Sequence, residues 1–220
     1  MARPGKATWL GVFLALLGPL FVAGPPALLV GDPTSPAAIF VFLCGMWVLV
    51  IATGAIVSLP EHASLASIGL SGLRGRSIGI GLLAALAIVA AMLLVLAVLG
   101  ADTKSEIRRG KETLLDLPLW LRIFTVVTAG VTEEWLYRGY AISRLEWLTG
   151  HRWIAAAISL GVFTLGHLPY WGGEAAIAVL IAGLTLTLVY LWTRDLVPAI
   201  VAHVAVDALS LLGPDLIDRI

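Results

Sequence analysis

Between Ile78 and Gly100 the chain runs for 23 residues without one ionisable side chain, and the stretch Ala37–Leu59 is equally free of charge. A segment of this kind has few folded destinations. An α-helix rises about 1.5 Å per residue, so about 20 apolar residues cross the ~30 Å hydrocarbon core of a bilayer. There the helix satisfies its own backbone polar groups, which lipid cannot do. Composition agrees. Hydrophobic residues make up 60% of the chain and charged residues 13%, whereas a soluble domain carries roughly 45–50% and about 25%. The mean hydropathy is +0.99.

The same arithmetic yields seven candidate segments. They are Thr8–Val30 (interrupted by Pro19 and Pro25-Pro26), Ala37–Leu59, Ile78–Gly100, a stretch from about Pro118 to Leu148, Trp153–Leu168, Ala175–Thr193 and Leu196–Leu212. An all-α transmembrane bundle of about seven helices (six to eight) is therefore expected as one integral membrane domain. Arg3 and Lys6 ahead of Trp9–Leu17 have the look of a signal peptide, with Val22-Ala23-Gly24 resembling a cleavage site. Pro25 follows that site directly and the apolar run continues to Val30, so an uncleaved first helix is expected. Trp9, Trp120, Trp147, Trp153, Trp171 and Trp192 fall near segment ends, where indole favours the membrane interface.

The short-loop cations set an orientation. Arg3, Lys6, Arg74, Arg76, Arg144, Arg152 and Arg194 share one side if the N-terminus is cytoplasmic. The connector Ala101–Asp116 opposes this with Lys104, Arg108, Arg109 and Lys111, although it also holds Asp102, Glu106, Glu112 and Asp116. With 14 basic and 14 acidic residues nothing points to a nucleic-acid partner, and the lone Cys44 rules out a disulfide framework. Membrane lipids are expected to surround the chain; its oligomeric state is not fixed by the sequence.

A charged side chain at mid-bilayer costs at least ~2.5–3.5 kcal/mol on insertion scales, so each one requires a reason. The first three segments have essentially none, while the last four hold Glu133, Glu134, Arg138, His167, His203 and Asp207. In Glu133-Glu134-Trp135-Leu136-Tyr137-Arg138, helical spacing pairs Glu134 with Arg138 four residues on and leaves Glu133 pointing about 100° away. Two adjacent carboxylates in a low dielectric cannot easily both stay ionised, which suits one of them to take a proton from water. His167 ends the segment that contains Phe163-Thr164-Leu165-Gly166-His167, and His203 and Asp207 stand four apart on the last helix. Asp207 could thus hold one ring nitrogen of His203 while the other faces a substrate. Taken singly, each element has a plainer reading: an interfacial charge cluster, a satisfied core histidine, a His–Asp pair that ties helices together.

In sequence, Glu-Glu-x-x-x-Arg, then Phe-x-x-x-His, then His-x-x-x-Asp resembles the CAAX protease and bacteriocin-processing family, the type II CAAX prenyl endopeptidases. The resemblance covers about Leu117–Leu212, including the approach Asp195-Leu196-Val197-Pro198-Ala199-Ile200-Val201-Ala202-His203. It divides the chain into N-terminal helices and connector (1–116) and a catalytic core (117–212). It implies an intramembrane endopeptidase in which Glu133 is the general base, assisted by His167, with Glu134 and Arg138 setting geometry and charge. His203 and Asp207 would stabilise the oxyanion. The departure is Asp207, where eukaryotic members often carry Asn. An ionised Asp207 would repel an oxyanion, so support of His203 from behind is the expected role.

Two histidines and up to three carboxylates also suffice for zinc, with Glu133, His167 and His203 as ligands. The helical His-Glu-x-x-His signature is absent, and the family is described as glutamate-type, so no cofactor and no metal are expected. The rival class is a proton-coupled transporter, but such folds show internal repeats with matched broken helices, and here the polar residues occupy one half. The expected substrate is a membrane-anchored peptide or protein. The Ala-, Gly- and Leu-rich composition suggests a prokaryotic source and argues against a prenylated one.

Overall fold

The computed structural model describes residues 5–99, 111–173 and 175–213, so Lys104, Arg108 and Arg109 of the charged connector lie outside the described residues. Among the described residues all regular structure is helical. The chain forms α1 (Lys6–Val30), α2 (Pro36–Ser58), a 3-10 turn (Leu65–Ile68) and α3 (Gly75–Leu99). The fourth crossing is one continuous run: α4 (Leu119–Thr128), a π-helix (Ala129–Ile142) and α5 (Ser143–Thr149). Then come α6 (Arg152–Trp171), α7 (Ala175–Thr193) and α8 (Val197–Leu211). Five helices are long and apolar enough to cross a membrane by length and composition, which makes the chain a polytopic helical membrane protein.

The seven expected segments correspond to these runs, with three differences. α1 passes through Pro19 and Pro25-Pro26 without a break. Membrane helices tolerate proline where neighbours re-satisfy the freed carbonyls. α6 likewise continues through Pro169 to Trp171, so His167 sits a turn inside the helix. Arg144 is no surface cation: it is 2% exposed and paired with Glu61.

Local chemistry explains the helix ends. Ser35 caps α2 by accepting from the Ala38 N–H at 3.3 Å, with Pro36 in the first turn, where its missing N–H is harmless. Asp195 accepts from the Val197 N–H at 3.0 Å to start α8. The main core gathers Val12, Met46, Leu136, Tyr140, Ala155 and Phe163 from α1, α2, the π-helix and α6. A second core packs small residues of α3 and α8, Ala84, Ala85, Ala199 and Ala202, around Ile88 and Leu186. Small residues let membrane helices approach closely, since lipid supplies no hydrophobic drive between them. The opposite face of α3 turns Leu82, Leu83, Leu86, Leu93 and Leu94 outward, a surface that only lipid can cover without cost. Trp9, Trp120, Trp153 and Trp192 are also exposed.

Candidate active site

The fourth crossing is wound as a π-helix across the segment that holds both glutamates. Such windings cluster at functional sites because they re-aim side chains that an α-helix would stack. Two indole hydrogen bonds tie the region to α2: Trp47 of α2 donates to the Thr128 hydroxyl, and Trp135 of the π-helix donates to Thr53 of α2, both at 3.0 Å. On the other side α8 comes unusually near. A Cβ at Gly130 would lie 2.4 Å from a methyl of Val204, so only glycine permits the approach that brings His203 to the glutamates.

The deepest tier is built on Glu134, which is fully buried. Its Oε1 accepts from Arg138 at 2.8 Å and from His203 Nδ1 at 2.8 Å. Arg138, 1% exposed, also donates to the Gly183 carbonyl at 3.2 Å and lays its guanidinium 4.2 Å above the Phe163 ring. A Cβ at Gly183 would stand 3.1 Å from that guanidinium and 2.9 Å from Leu160, so α7 needs glycine there to receive the arginine. Every donor counts here, because an unpaired charge in a low dielectric is far more costly than a paired one. Glu134 Oε2 has no hydrogen-bond partner among the described residues.

The outer tier faces Glu133. Its Oε2 lies 3.9 Å from His167 Nε2 and 3.9 Å from His203 Nε2. His203 Nε2 in turn lies 3.5 Å from Asp207 Oδ2. His167 Nδ1 is 2.7 Å from the Phe163 carbonyl, which can only accept, so the ring donates from Nδ1 and a neutral ring presents Nε2 as an acceptor. Separations of 3.9 Å are too long for a direct hydrogen bond and have the length that one water spans. Side-chain exposure rises outward from 0% at Glu134 through 12% at His203 and 16% at Glu133 to 23% at His167 and 28% at Asp207. The cluster therefore opens along the His167–Asp207 side.

All six sequence-selected residues join in this one contact network, drawn from the fourth crossing, α6 and α8. The nitrogen assignment differs from the expected one. The buried partner gripping His203 is Glu134 on Nδ1, while Asp207 meets the same Nε2 that faces Glu133. Two imidazoles and a carboxylate are a donor set zinc accepts, but as placed here they stand wider apart than its ligands do. Tetrahedral bonds of about 2.0–2.1 Å place ligand atoms about 3.3–3.4 Å apart, against 3.9 Å for both nitrogen–oxygen pairs. Among the described residues no group of three His, Cys, Asp or Glu is placed to hold a metal ion.

The sequence reading missed a second buried set beside the first. Glu61, from the α2–α3 connection, accepts from Tyr140 at 3.0 Å and from Arg144 at 2.8 Å, and Arg144 also donates to Ser67. Arg122 is buried as well, donating to the Leu211 carbonyl at 3.1 Å. The one available signal was Arg122 standing among apolar neighbours.

A helical bundle with apolar outer faces and acids, histidines and an arginine gathered between its helices defines a polytopic membrane protein with a polar, chemically equipped interior. Residues 115–209, which contain all six side chains, match the family model described as type II CAAX prenyl endopeptidase Rce1-like. Over this stretch, a little under half of the chain, the sequence is similar to that family, and the match supports a protease. Comparison with curated proteins and with solved structures gave no match.

Proposed function

We propose that the chain is an intramembrane endopeptidase that hydrolyses a peptide bond of a membrane-associated peptide or protein, with Glu133 as the base that activates water. The observation that carries this reading is the convergence of Glu133 Oε2 with two imidazole Nε2 atoms at 3.9 Å each. A water between them gives one proton to Glu133 while its other hydrogen bonds to His167 Nε2, and its oxygen attacks the scissile carbonyl carbon. A charged His203 ring donates from both nitrogens, Nδ1 to Glu134 and Nε2 to the developing oxyanion, with Asp207 3.5 Å away balancing the charge. The C–N bond then breaks as Glu133 passes its proton to the leaving amine. Arg138 and His203 Nδ1 both meet Glu134 Oε1, so that His203 is held in one orientation. No metal takes part in this scheme.

The test is cleavage of a library of membrane-anchored peptides by the purified full chain in detergent, read by mass spectrometry. The wild type is compared with Glu133→Gln, each with and without a chelator. Cleavage lost in the variant and indifferent to chelator is expected. Loss with chelator moves the site to zinc. No cleavage by the wild type, together with Glu133-dependent proton flux in liposomes, refutes the protease.

A further inference from the structure

At the end of the bundle where the α2–α3 connection meets α5 and α7 turns into α8, the structure forms an open-sided cavity of about 350 Å³, lined by Ala66, Ser143, Glu146, Trp147, Tyr190 and Arg194. That is the lower range of small-ligand pockets. Its boundary is a bidentate ion pair: Arg194 Nη1 and Nη2 meet the two Glu146 oxygens at 2.6 and 2.9 Å. Side-chain exposure of 45% for Arg194 and 29% for Glu146 leaves both within reach of a ligand. The walls are held from behind. The Tyr190 hydroxyl donates to the Ile68 carbonyl, and the Leu196 N–H donates to the Gly69 carbonyl at 2.9 Å. Arg194 adopts a left-handed backbone at φ +52°, uncommon for a residue with a side chain. That conformation, in the turn between α7 and α8, accompanies the reach of its guanidinium back across to Glu146.

We propose that this cavity binds a zwitterionic phospholipid headgroup of the phosphoethanolamine class, its phosphate on Arg194 and its ammonium on Glu146. Three features favour it. The cavity is lined by residues close in sequence to the ends of the apolar spans Pro36–Ser58, Arg152–Tyr170 and Ala175–Thr193, the part of such a chain expected at headgroup depth. The anion and cation lie side by side with no net charge, complementary to a ligand that also carries both signs; a purely anionic headgroup would meet the Glu146 carboxylate. Trp147 supplies the amphipathic ring found at that depth.

The test uses the purified full chain in detergent with four probes: dihexanoyl phosphatidylethanolamine, dihexanoyl phosphatidylglycerol, O-phosphoethanolamine and inorganic phosphate, titrated calorimetrically. Both ethanolamine probes are expected to bind, with phosphatidylglycerol and phosphate at least tenfold weaker. Binding of the lipid but not of O-phosphoethanolamine still supports a lipid site, with acyl contacts added to the headgroup. Arg194→Gln and Glu146→Gln remove the charges, and Ala66→Leu fills the cavity while leaving the ion pair intact; each is expected to weaken ethanolamine binding at least tenfold. Equal binding of phosphatidylglycerol or phosphate, no binding at all, or ethanolamine binding unchanged in both Arg194→Gln and Ala66→Leu overturns the proposal.

Discussion

Removal of Arg138 alone should harm this protein more than removal of Arg138 and Glu134 together. In Arg138→Gln, Glu134 remains at zero exposure with His203 as its only ion-pair partner among the described residues. Breaking a buried pair by deleting one partner costs about 3–5 kcal/mol. The lost donation to Gly183 and the ring contact with Phe163 add about 1–2 kcal/mol, part of which the glutamine amide recovers. The net expectation is about 4–6 kcal/mol, a large share of the 5–15 kcal/mol that holds a typical domain folded. Glu134→Gln strands the arginine in the same way and should cost a similar amount. In the double variant neither charge remains to be buried, so it should be at least ~2 kcal/mol more stable than Arg138→Gln, with a coupling of that order in the four-species cycle. The assay is reversible unfolding in mixed micelles with rising SDS. Additivity of the two single changes to within ~0.5 kcal/mol would show that the pair does not act as a unit. Cleavage should fall in all three variants, since each disturbs the Glu134 contact that orients His203.

Glu133→Gln keeps the shape of the side chain and removes the base, so kcat should fall about 10²–10⁴-fold with KM and unfolding midpoint nearly unchanged; a change confined to KM would assign Glu133 to binding. Asp207→Asn should retain activity to within about tenfold, because an amide oxygen dipole still lies beside His203 Nε2, whereas His203→Ala should lose about 10²-fold or more; the reverse order would make Asp207 the principal group. Arg144→Gln should destabilise the fold by about 3–5 kcal/mol through stranded Glu61, and a cost below ~1 kcal/mol in the same micelle assay would mean that water reaches the pair. The Arg194 hydrogen bonds hold the Glu146 carboxyl below the ordinary carboxylate range. A lowered folded value stabilises the fold above the unfolded value near ~4.3 and loses that stabilisation as pH falls through the folded one. The stability difference between wild type and Glu146→Gln, about 0.2–1 kcal/mol at neutral pH, should therefore vanish on acidification below that range; growth instead would reverse the sign.

What the sequence discloses here follows helical geometry. Glu134 with Arg138, and His203 with Asp207, are four residues apart, a spacing that makes side chains neighbours on a helix, and the structure brings each pair within 3.5 Å or less. The contacts that complete the cluster span 69 residues from Glu134 to His203 and 83 from Glu61 to Arg144, and no local spacing encodes such distances. Arg144 stands beside Ser143 and two residues before Glu146, so locally it reads as a loop cation; its partner Glu61 lies in a segment without periodicity. The π winding of Ala129–Ile142 has no residue code either. It accompanies the bracing by Trp47 and Trp135 on one side and the close approach of Val204 to Gly130 on the other.

In lipid the partnership of charges discriminates better than their number. Glu134 has Arg138 and His203 within hydrogen-bond distance, and Glu61 has Arg144 and Tyr140. In each set a buried charge is met by close donors, even though Glu134 Oε2 is left over. Glu133 differs: its ion-pair contacts, both to imidazoles, are at 3.9 Å, and it stands at the inner end of the cluster's exposed side. A carboxylate retained in an apolar helix without a tight cation yields nothing to stability, because its desolvation is not offset. Its free lone pairs are therefore best explained by a transient partner, the water of hydrolysis. On this argument Glu133→Gln should leave the fold as stable as wild type or slightly more so while abolishing cleavage, the stability–activity opposition seen where a site is kept for chemistry.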